Sequence, residues 1–296
     1  MINRQVPAEI VVAEAGNLRG IACMLLAGFF LNANDSITKY LVPHYPVGEI
    51  LLVQALLIAV ISMVWLLQQG EHPFRWHNPK FHLIRGCFYA GGSFAFVYAL
   101  HFLPLAEVIA IAFAGPLFMS IFGRIFLGEV IGPHRLTGIV IGFMGVLIVI
   151  QPGTSAMHWA AILPLTVAIL DGLRDTMTRH MTVRESSRKI VFSTAVVLAL
   201  AASLTYGEDW KAVELQHLAW FVLSASSFVI AHYFLVEAFR HARIAAVAPF
   251  KYIQLLWGIL AGIVFFGETP GLVVFTGIGV ILASGFYVAW REALRS

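Results

Sequence analysis

The chain has 296 residues, of which 59% are hydrophobic and 12% are charged. A soluble domain carries roughly a quarter charged residues, so this composition indicates an integral membrane protein rather than a soluble one. The formal net charge is only +3 and no basic arm is present, which gives no indication of nucleic acid binding.

Windows of about 20 mostly apolar residues predict ten membrane-spanning helices. Proline and glycine residues with turn-forming character separate them. The predicted fold class is therefore all-α integral membrane, with a short connection between helices three and four. In chain order, the predicted helices cover residues 18–40, 47–67, 81–102, 105–126, 134–150, 158–179, 189–206, 216–238, 244–266 and 271–290.

The distribution of basic residues predicts the orientation. Fifteen of the 19 lysines and arginines fall at one predicted face, three fall within helices, and Lys211 alone falls at the other face. Because basic residues accumulate on the cytoplasmic side, both termini are predicted to be cytoplasmic, including a tail of residues 1–17. The expected location is the bacterial inner membrane.

The two halves of the sequence repeat at an offset of 139 residues. Gly-Glu, seven residues and then Thr-Gly-Ile occur in both halves, beginning at Gly128 and at Gly267. The predicted repeats are residues 18–150 and 158–291, with five helices each. An odd number of spans inverts the second copy in the membrane, an arrangement common in secondary carriers that work by alternating access.

Several short segments resemble the EamA family of the drug/metabolite transporter superfamily. They are Leu127-Gly-Glu, Arg135-Leu-Thr-Gly, Phe266-Gly-Glu and Thr276-Gly. The resemblance covers residues from about 18 to 290 and implies a substrate cavity lined by helices one, three, four, six, eight and nine. Residues 247–257 are similar to a helix-nine pattern in members proposed to carry vitamins or nucleoside-like metabolites. Helix one departs from the family pattern at Leu31-Asn-Ala-Asn-Asp35.

Predicted helix six carries three ionisable residues inside an apolar stretch: Asp171, Arg174 and Asp175. Charge at membrane depth is costly, so it indicates a partner or a water-filled path. In one interpretation the three residues form an ion pair that only neutralises itself. In the other, Arg174 binds an anionic or carbonyl group of the substrate and Asp171 orients it, since the planar guanidinium donates in pairs.

Predicted helices one and nine contribute further charged residues. The repeat offset aligns Asn32 with Asp171 and Asp35 with Arg174. Asp35 is the best candidate for proton coupling, and its spacing to Lys39 favours an i, i+4 ion pair, although Lys39 is also expected to snorkel outward. Lys251 either snorkels to the interface or faces the cavity beside Tyr252.

Aromatic residues at intermediate depth are expected to be packing residues by default. As a set they would stack a flat substrate. The predicted substrate-binding residues are Asn32, Asp35, Tyr98, Asp171, Arg174, Tyr233, Lys251, Tyr252 and Trp257.

The leading functional prediction is a secondary transporter for a small organic metabolite, first a planar vitamin such as riboflavin. The alternatives are an amino acid or S-adenosylmethionine carrier, a passive channel, and, from another class, an integral-membrane enzyme acting on lipid. The sequence contains no phosphate-binding glycine loop, nucleophile elbow or metal-spaced His/Cys set, so we expect no cofactor, no metal and no enzymatic activity. The expected partners are the substrate and the bilayer, and a homodimer is left open.

Overall fold

The computed structural model describes residues 8–127, 133–154, 157–181, 184–207, 209–241, 250 and 253–293. These residues form an all-helical bundle, and no β-strand occurs among them. A 3₁₀ turn at Trp159–Ala161 precedes the seventh helix. The α-helices in the described residues are α1 (Ala8–Leu41), α2 (Val47–Gln68), α3 (Pro79–Ala99), α4 (Leu105–Ala112), α5 (Gly115–Leu127), α6 (Pro133–Ile150), α7 (Ile162–Met181), α8 (Ser187–Ser203), α9 (Leu215–His241), α10 (Ile253–Phe266) and α11 (Leu272–Ala293).

Three segments of the described helices are long and apolar enough to cross a membrane. They are Leu18–Leu41 in α1, Val47–Gln68, which is all of α2, and Leu215–Ala238 in α9. At 1.5 Å per residue, the 22 residues of α2 span about 33 Å, which matches the hydrocarbon thickness of a bilayer. Shorter apolar segments occur in α6, α10 and α11.

The predicted fourth helix, residues 105–126, is not continuous. α4 ends at Ala112 and α5 begins at Gly115. Pro116 explains the break, because a proline has no backbone N–H to donate to the carbonyl four residues earlier, which is that of Ala112. Gly115 lies where α5 packs against α7, and a Cβ added there would make an ordinary contact, 3.5 Å from the Ala168 carbonyl oxygen.

One other boundary differs from the sequence prediction. α1 begins at Ala8 and therefore extends into the segment predicted to be a tail. Most of the first part of predicted helix nine lies outside the described residues, and the described helix α10 covers Ile253–Phe266. Lys251 and Tyr252 lie outside the described residues, as does Glu129.

The helices pack in pairs across the two halves of the chain. α1 packs against α9 and α3 packs against α7, while α2 pairs with α8, α4 with α10 and α6 with α11. Two glycines allow the backbones of α6 and α11 to touch: a Cβ at Gly145 would lie 3.0 Å from the Gly277 oxygen, and one at Gly277 would lie 2.8 Å from the Gly145 oxygen. Small residues serve this purpose in membrane bundles because they let backbones approach closely.

Candidate substrate cavity

A cavity of about 150 Å³ lies between the helices of both halves. A single water molecule needs roughly 10–15 Å³ of cavity volume, so this cavity has room for a small organic molecule. Its walls combine charged, amide and aromatic side chains. The lining residues that matter below are Asn34, Asp35, Thr38, Gln54, Tyr89, Phe96, Phe113, Asp171, Arg174, Asp175, Phe228, His232 and Gln254.

The charged wall of the cavity comes from α7. The Arg174 guanidinium lies 2.7 Å from Asp171 through Nη1 and 2.8 Å from Asp175 through Nη2, and its Nε also donates to Asp175 at 3.0 Å. Helical spacing brings Asp171 onto the face of Arg174 one turn away. The self-neutralising ion pair is therefore present, and all three residues still line the cavity.

Arg174 is also positioned by an aromatic ring. Its guanidinium carbon lies 5.7 Å from the centroid of Tyr89 on α3, within cation–π range. Only 9% of Arg174 is exposed. Two carboxylates and the face of a ring thus hold the guanidinium in one orientation. They also offset the desolvation cost that would otherwise oppose the burial of a lone charge.

Asp35 on α1 lines the same cavity. Its two carboxylate oxygens accept long hydrogen bonds, 3.3 Å from Asn34 Nδ2 and 3.4 Å from Gln254 Nε2 on α10. The predicted ion pair between Asp35 and Lys39 does not form.

Lys39 instead pairs with Glu268, in the loop after α10, and its ammonium lies 5.1 Å from the centroid of the Phe266 ring. The Lys39 side chain is 10% exposed, so the expectation that it snorkels outward is wrong. The other Glu268 oxygen accepts a hydrogen bond of 2.9 Å from the Leu105 N–H. A carboxylate at that position is favourable because the first N–H groups of α4 have no partner within the helix and carry positive partial charge.

A group of aromatic rings lines the same cavity and adjoins the charged cluster through Tyr89. Phe228 and His232 on α9 stack with centroids 3.9 Å apart, and His232 Nδ1 lies 3.3 Å from the Phe228 carbonyl oxygen. Tyr89 meets both rings edge-on, at 5.6 and 6.1 Å. Phe96 and Phe113 also line the cavity. Flat rings at these separations form a surface on which another flat ring can stack.

Four of the predicted substrate-binding residues lie away from the cavity. The Asn32 amide, with its nitrogen toward the Trp257 carbonyl (3.1 Å) and its oxygen toward the Gly258 N–H (3.0 Å), joins α1 to α10. Tyr98 is 47% exposed at the end of α3. Tyr233 packs on Trp65 at 4.9 Å. Trp257 packs edge-on against Phe29 at 5.5 Å. This geometry does not support the role that the sequence predicted for them.

Sequence reasoning also missed several polar residues. Asn34, Gln54 and Gln254 line the cavity, and none of them was predicted. Arg85 on α3 is one of the fifteen basic residues predicted to lie at the cytoplasmic face, yet it is only 4% exposed. Its Nε donates to the Thr178 hydroxyl at 2.7 Å, and its Nη1 donates to Thr194. The two threonine hydroxyls accept two of the N–H groups of this buried guanidinium, and hydropathy alone does not predict its burial.

A second set of polar contacts closes the end of the bundle where α2 leads into α3. Glu71 binds Arg188 and accepts a hydrogen bond from Ser186, both near the start of α8. Burial alone would raise the pKa of Glu71, but these hydrogen bonds and the charges of Arg188 and Lys189 outweigh it, so the pKa lies below the ordinary glutamate value.

Comparisons with known proteins agree with this architecture. The family model described as the EamA-like transporter family matches residues 18–151. A riboflavin transporter of Rhizobium johnstonii is 30% identical over 290 residues, 97% of this chain and 96% of the relative. An S-adenosylmethionine uptake transporter of Rickettsia prowazekii is 26% identical over 277 residues, 93% of this chain and 94% of the relative.

A solved crystal structure has the same fold. It is 18% identical, with a TM-score of 0.66 over 96% of this chain and 99% of that chain. The family match and the full-length relatives confirm the predicted transporter class and exclude the alternative of a lipid-modifying enzyme. The chain belongs to the EamA-like transporter family and is a multi-pass membrane transporter of small metabolites.

Proposed function

We propose that this protein carries a flat, polar metabolite and that riboflavin is the first substrate to test. The observation that carries the proposal is the cavity itself, which is lined by both the Asp171–Arg174–Asp175 cluster and the Phe228–His232 stack. A molecule with one flat ring system and polar edges meets both walls at once. The names of several relatives support the choice of riboflavin.

Arg174 is suited to bind ring carbonyl oxygens. A guanidinium has five N–H donors. The described contacts engage three of them, one with Asp171 and two with Asp175. The other two would bind substrate carbonyl groups, while the carboxylates hold the fork in place. Amides such as Gln54 and Gln254 would bind sugar-like hydroxyls.

S-adenosylmethionine is the second candidate, and a specific observation favours it. Among the described residues that line the cavity, the carboxylates Asp35, Asp171 and Asp175 outnumber the single guanidinium, Arg174. An acidic cavity favours a cation over a neutral molecule. Several relatives are named S-adenosylmethionine uptake transporters.

Binding to the purified protein separates the two candidates. The fluorescence of riboflavin should be quenched when it binds. Riboflavin should also raise the unfolding temperature of the protein, because a ligand that binds only the native state stabilises it by mass action. Phe228→Leu should weaken riboflavin binding, whereas Tyr98→Leu, which removes an exposed aromatic ring away from the cavity, should not. Stabilisation by S-adenosylmethionine alone would replace riboflavin with the second candidate.

We also propose that ten spans form two inverted repeats, residues 18–150 and 158–291, with both termini cytoplasmic. The helix pairs support this layout. In the proposed repeats, α1 corresponds to α7 and α3 corresponds to α9. Exchanging each helix of one half for its counterpart in the other half therefore converts the α1–α9 contact into the α7–α3 contact. The same exchange maps α2–α8, α4–α10 and α6–α11 onto themselves.

Proton coupling through Asp35 is the proposed energy source. Asp35 lines the cavity, and the nearby cation Lys39 is occupied by Glu268. Asp35→Asn should therefore abolish accumulation driven by a pH gradient and spare equilibrium exchange of labelled riboflavin. Accumulation by the wild type that ignores both the gradient and a protonophore would leave facilitated diffusion as the mechanism.

A further inference from the structure

A continuous chain of side-chain hydrogen bonds joins three helices beside the cavity. Gln54 Nε2 on α2 donates to Thr38 Oγ1 on α1 at 2.9 Å and to Ser224 Oγ on α9 at 2.7 Å. Ser224 Oγ donates to Asn34 Oδ1 at 2.8 Å, and Asn34 Nδ2 donates to Asp35 Oδ1 at 3.3 Å. We call these five residues the amide relay.

In the branch through Ser224, each donor from Gln54 onward points toward Asp35, whereas the second Gln54 N–H donates to Thr38. This direction suits an ionised carboxylate, which accepts hydrogen bonds and donates none. Because both N–H groups of Gln54 are used within the relay, its carbonyl oxygen is left for the cavity that Gln54 lines. In this state Gln54 therefore offers an acceptor to a bound molecule.

We propose that protonation of Asp35 reverses the amide relay, so that Gln54 presents an N–H donor to the cavity in place of its carbonyl oxygen. The inference deepens the proposed proton coupling and rests on it. It assigns Gln54 as the residue that makes substrate binding depend on the proton, and Ser224 as the positioning residue between them.

The reversal balances at each step. A proton bound to Asp35 Oδ1 turns that oxygen from an acceptor into a donor, so Asn34 must turn its amide and present its oxygen. The Asn34 nitrogen then donates to Ser224, whose hydroxyl proton moves round to face Gln54. Gln54 turns in response, and its carbonyl oxygen accepts from both Ser224 and Thr38. The relay holds four hydrogen bonds in either direction, and the Gln54 group without a partner in the relay is turned to the cavity in each state, which is what makes both states accessible.

The other route would place the proton on Asp35 Oδ2, where Gln254 donates at 3.4 Å. That route turns Gln254 alone and leaves Gln54 unchanged. The two routes therefore differ in whether Gln54 turns, and the spectroscopic experiment below distinguishes them.

Charged and titratable groups surround Asp35 on several helices. Asp171, Arg174 and Asp175 line the same cavity from α7 and are bound to one another, Tyr89 lines it from α3, and His232 lines it from α9. On α1 itself, Lys39 is held by Glu268. Lys251 lies outside the described residues. Within the described part of the chain, the amides of Asn34 and Gln254 are thus the direct hydrogen-bond donors to the Asp35 carboxylate.

Ser224→Ala tests the relay without altering the cavity wall. Ser224 is fully buried and is not a lining residue, and the substitution removes only the hydroxyl that passes the reversal on. Ser227→Ala is the matched control, since Ser227 is 4% exposed on the same helix and lies outside the relay.

The direct readout is infrared difference spectroscopy between acidic and alkaline pH on the full-length protein in nanodiscs without substrate. The wild type should show a carboxylic acid C=O band, lost in Asp35→Asn, together with side-chain amide bands lost in Gln54→Leu. In Ser224→Ala the carboxylic acid band should remain and the Gln54 bands should disappear. Ser227→Ala should match the wild type.

Three results would overturn the relay. The first is a Gln54 amide change that persists unaltered in Ser224→Ala. The second is an Asp35 band with no accompanying Gln54 change, which would assign the proton to the Gln254 side. The third is the absence of any Asp35 band, which would refute the proton coupling as well. Since no substrate is present, a wrong choice of riboflavin affects none of these outcomes.

Discussion

The Lys39 ammonium on α1 is paired with the Glu268 carboxylate beyond the end of α10, and not with Asp35 one turn away on its own helix. The pair joins the two halves of the chain, and through the Leu105 N–H it also holds the start of α4. As a result, Asp35 meets amides rather than a cation at the cavity wall.

Substitutions at Glu268 should separate its two contacts. Glu268→Gln removes the charge that binds Lys39 but keeps an oxygen for the Leu105 N–H, whereas Glu268→Ala removes both. The unfolding temperature should fall in the order wild type, Glu268→Gln, Glu268→Ala, with each step costing about 1–3 kcal/mol because buried polar groups lose partners. Thermal unfolding in detergent measures this order. Equal unfolding temperatures for the two variants would mean that the hydrogen bond from the Leu105 N–H contributes nothing to stability.

Arg174→Lys should impair transport while leaving expression intact. Lysine keeps the positive charge but loses the planar fork that engages both Asp171 and Asp175. Loss of hydrogen bonds between charged groups is worth about 1.5–3 kcal/mol, so the rate of substrate exchange should fall roughly 10- to 100-fold. The matched control is Arg124→Lys, at an exposed arginine of α5. Normal exchange by Arg174→Lys would reduce the cluster to a structural ion pair.

The contact between Glu71 and Arg188 should make stability depend on acid pH. Since the pKa of Glu71 is lower in the folded protein, its stabilisation is fully present above the ordinary glutamate pKa of about 4.3. It is lost as the pH falls through the lower folded value. The contribution should be at most about 1 kcal/mol, because the contact is partly solvated.

Glu71→Gln measures this contribution. The variant should unfold at a lower temperature than the wild type at neutral pH, and the difference should vanish in acid. In an Arg188→Gln background the same substitution should have a smaller effect. A difference that stays constant with pH would show that the Glu71 charge is not the cause.

Cysteine accessibility tests the proposed orientation. In a variant without Cys23 and Cys87, single cysteines at Leu204, which is 87% exposed, and at the exposed Arg184 lie at opposite ends of α8. In intact cells a membrane-impermeant thiol reagent should label the first and not the second. The reverse pattern would place the termini outside the cell.

The charged cluster on α7 could be predicted from sequence because three ionisable residues in an apolar stretch leave few alternatives. The choice between Asn32 and Asn34 could not. Successive helical positions differ by about 100° around the axis, so two residues separate opposite faces, and only packing against α9 and α10 decides which faces the cavity. The repeat alignment favoured Asn32, whose amide in fact joins α1 to the backbone of α10.

Contacts between residues that are distant in the sequence could not be predicted either. Helical spacing correctly linked Asp171 to Arg174, which are neighbours in sequence, but the same rule wrongly linked Asp35 to Lys39. Glu268 competes for Lys39 from 229 residues away, and no local pattern reports such a contact. The break in predicted helix four, by contrast, could have been predicted from Pro116, but the continuous apolar character of residues 105–126 favoured a single helix.

Counterflow of labelled riboflavin in proteoliposomes tests the central claim most directly, because it measures transport without any assumption about energy coupling. Vesicles loaded with unlabelled riboflavin should accumulate the labelled vitamin transiently in the presence of the wild-type protein. Arg174→Lys should abolish most of that accumulation, and Tyr98→Leu should leave it unchanged. No counterflow with riboflavin, together with clear counterflow of S-adenosylmethionine, would contradict the proposed substrate.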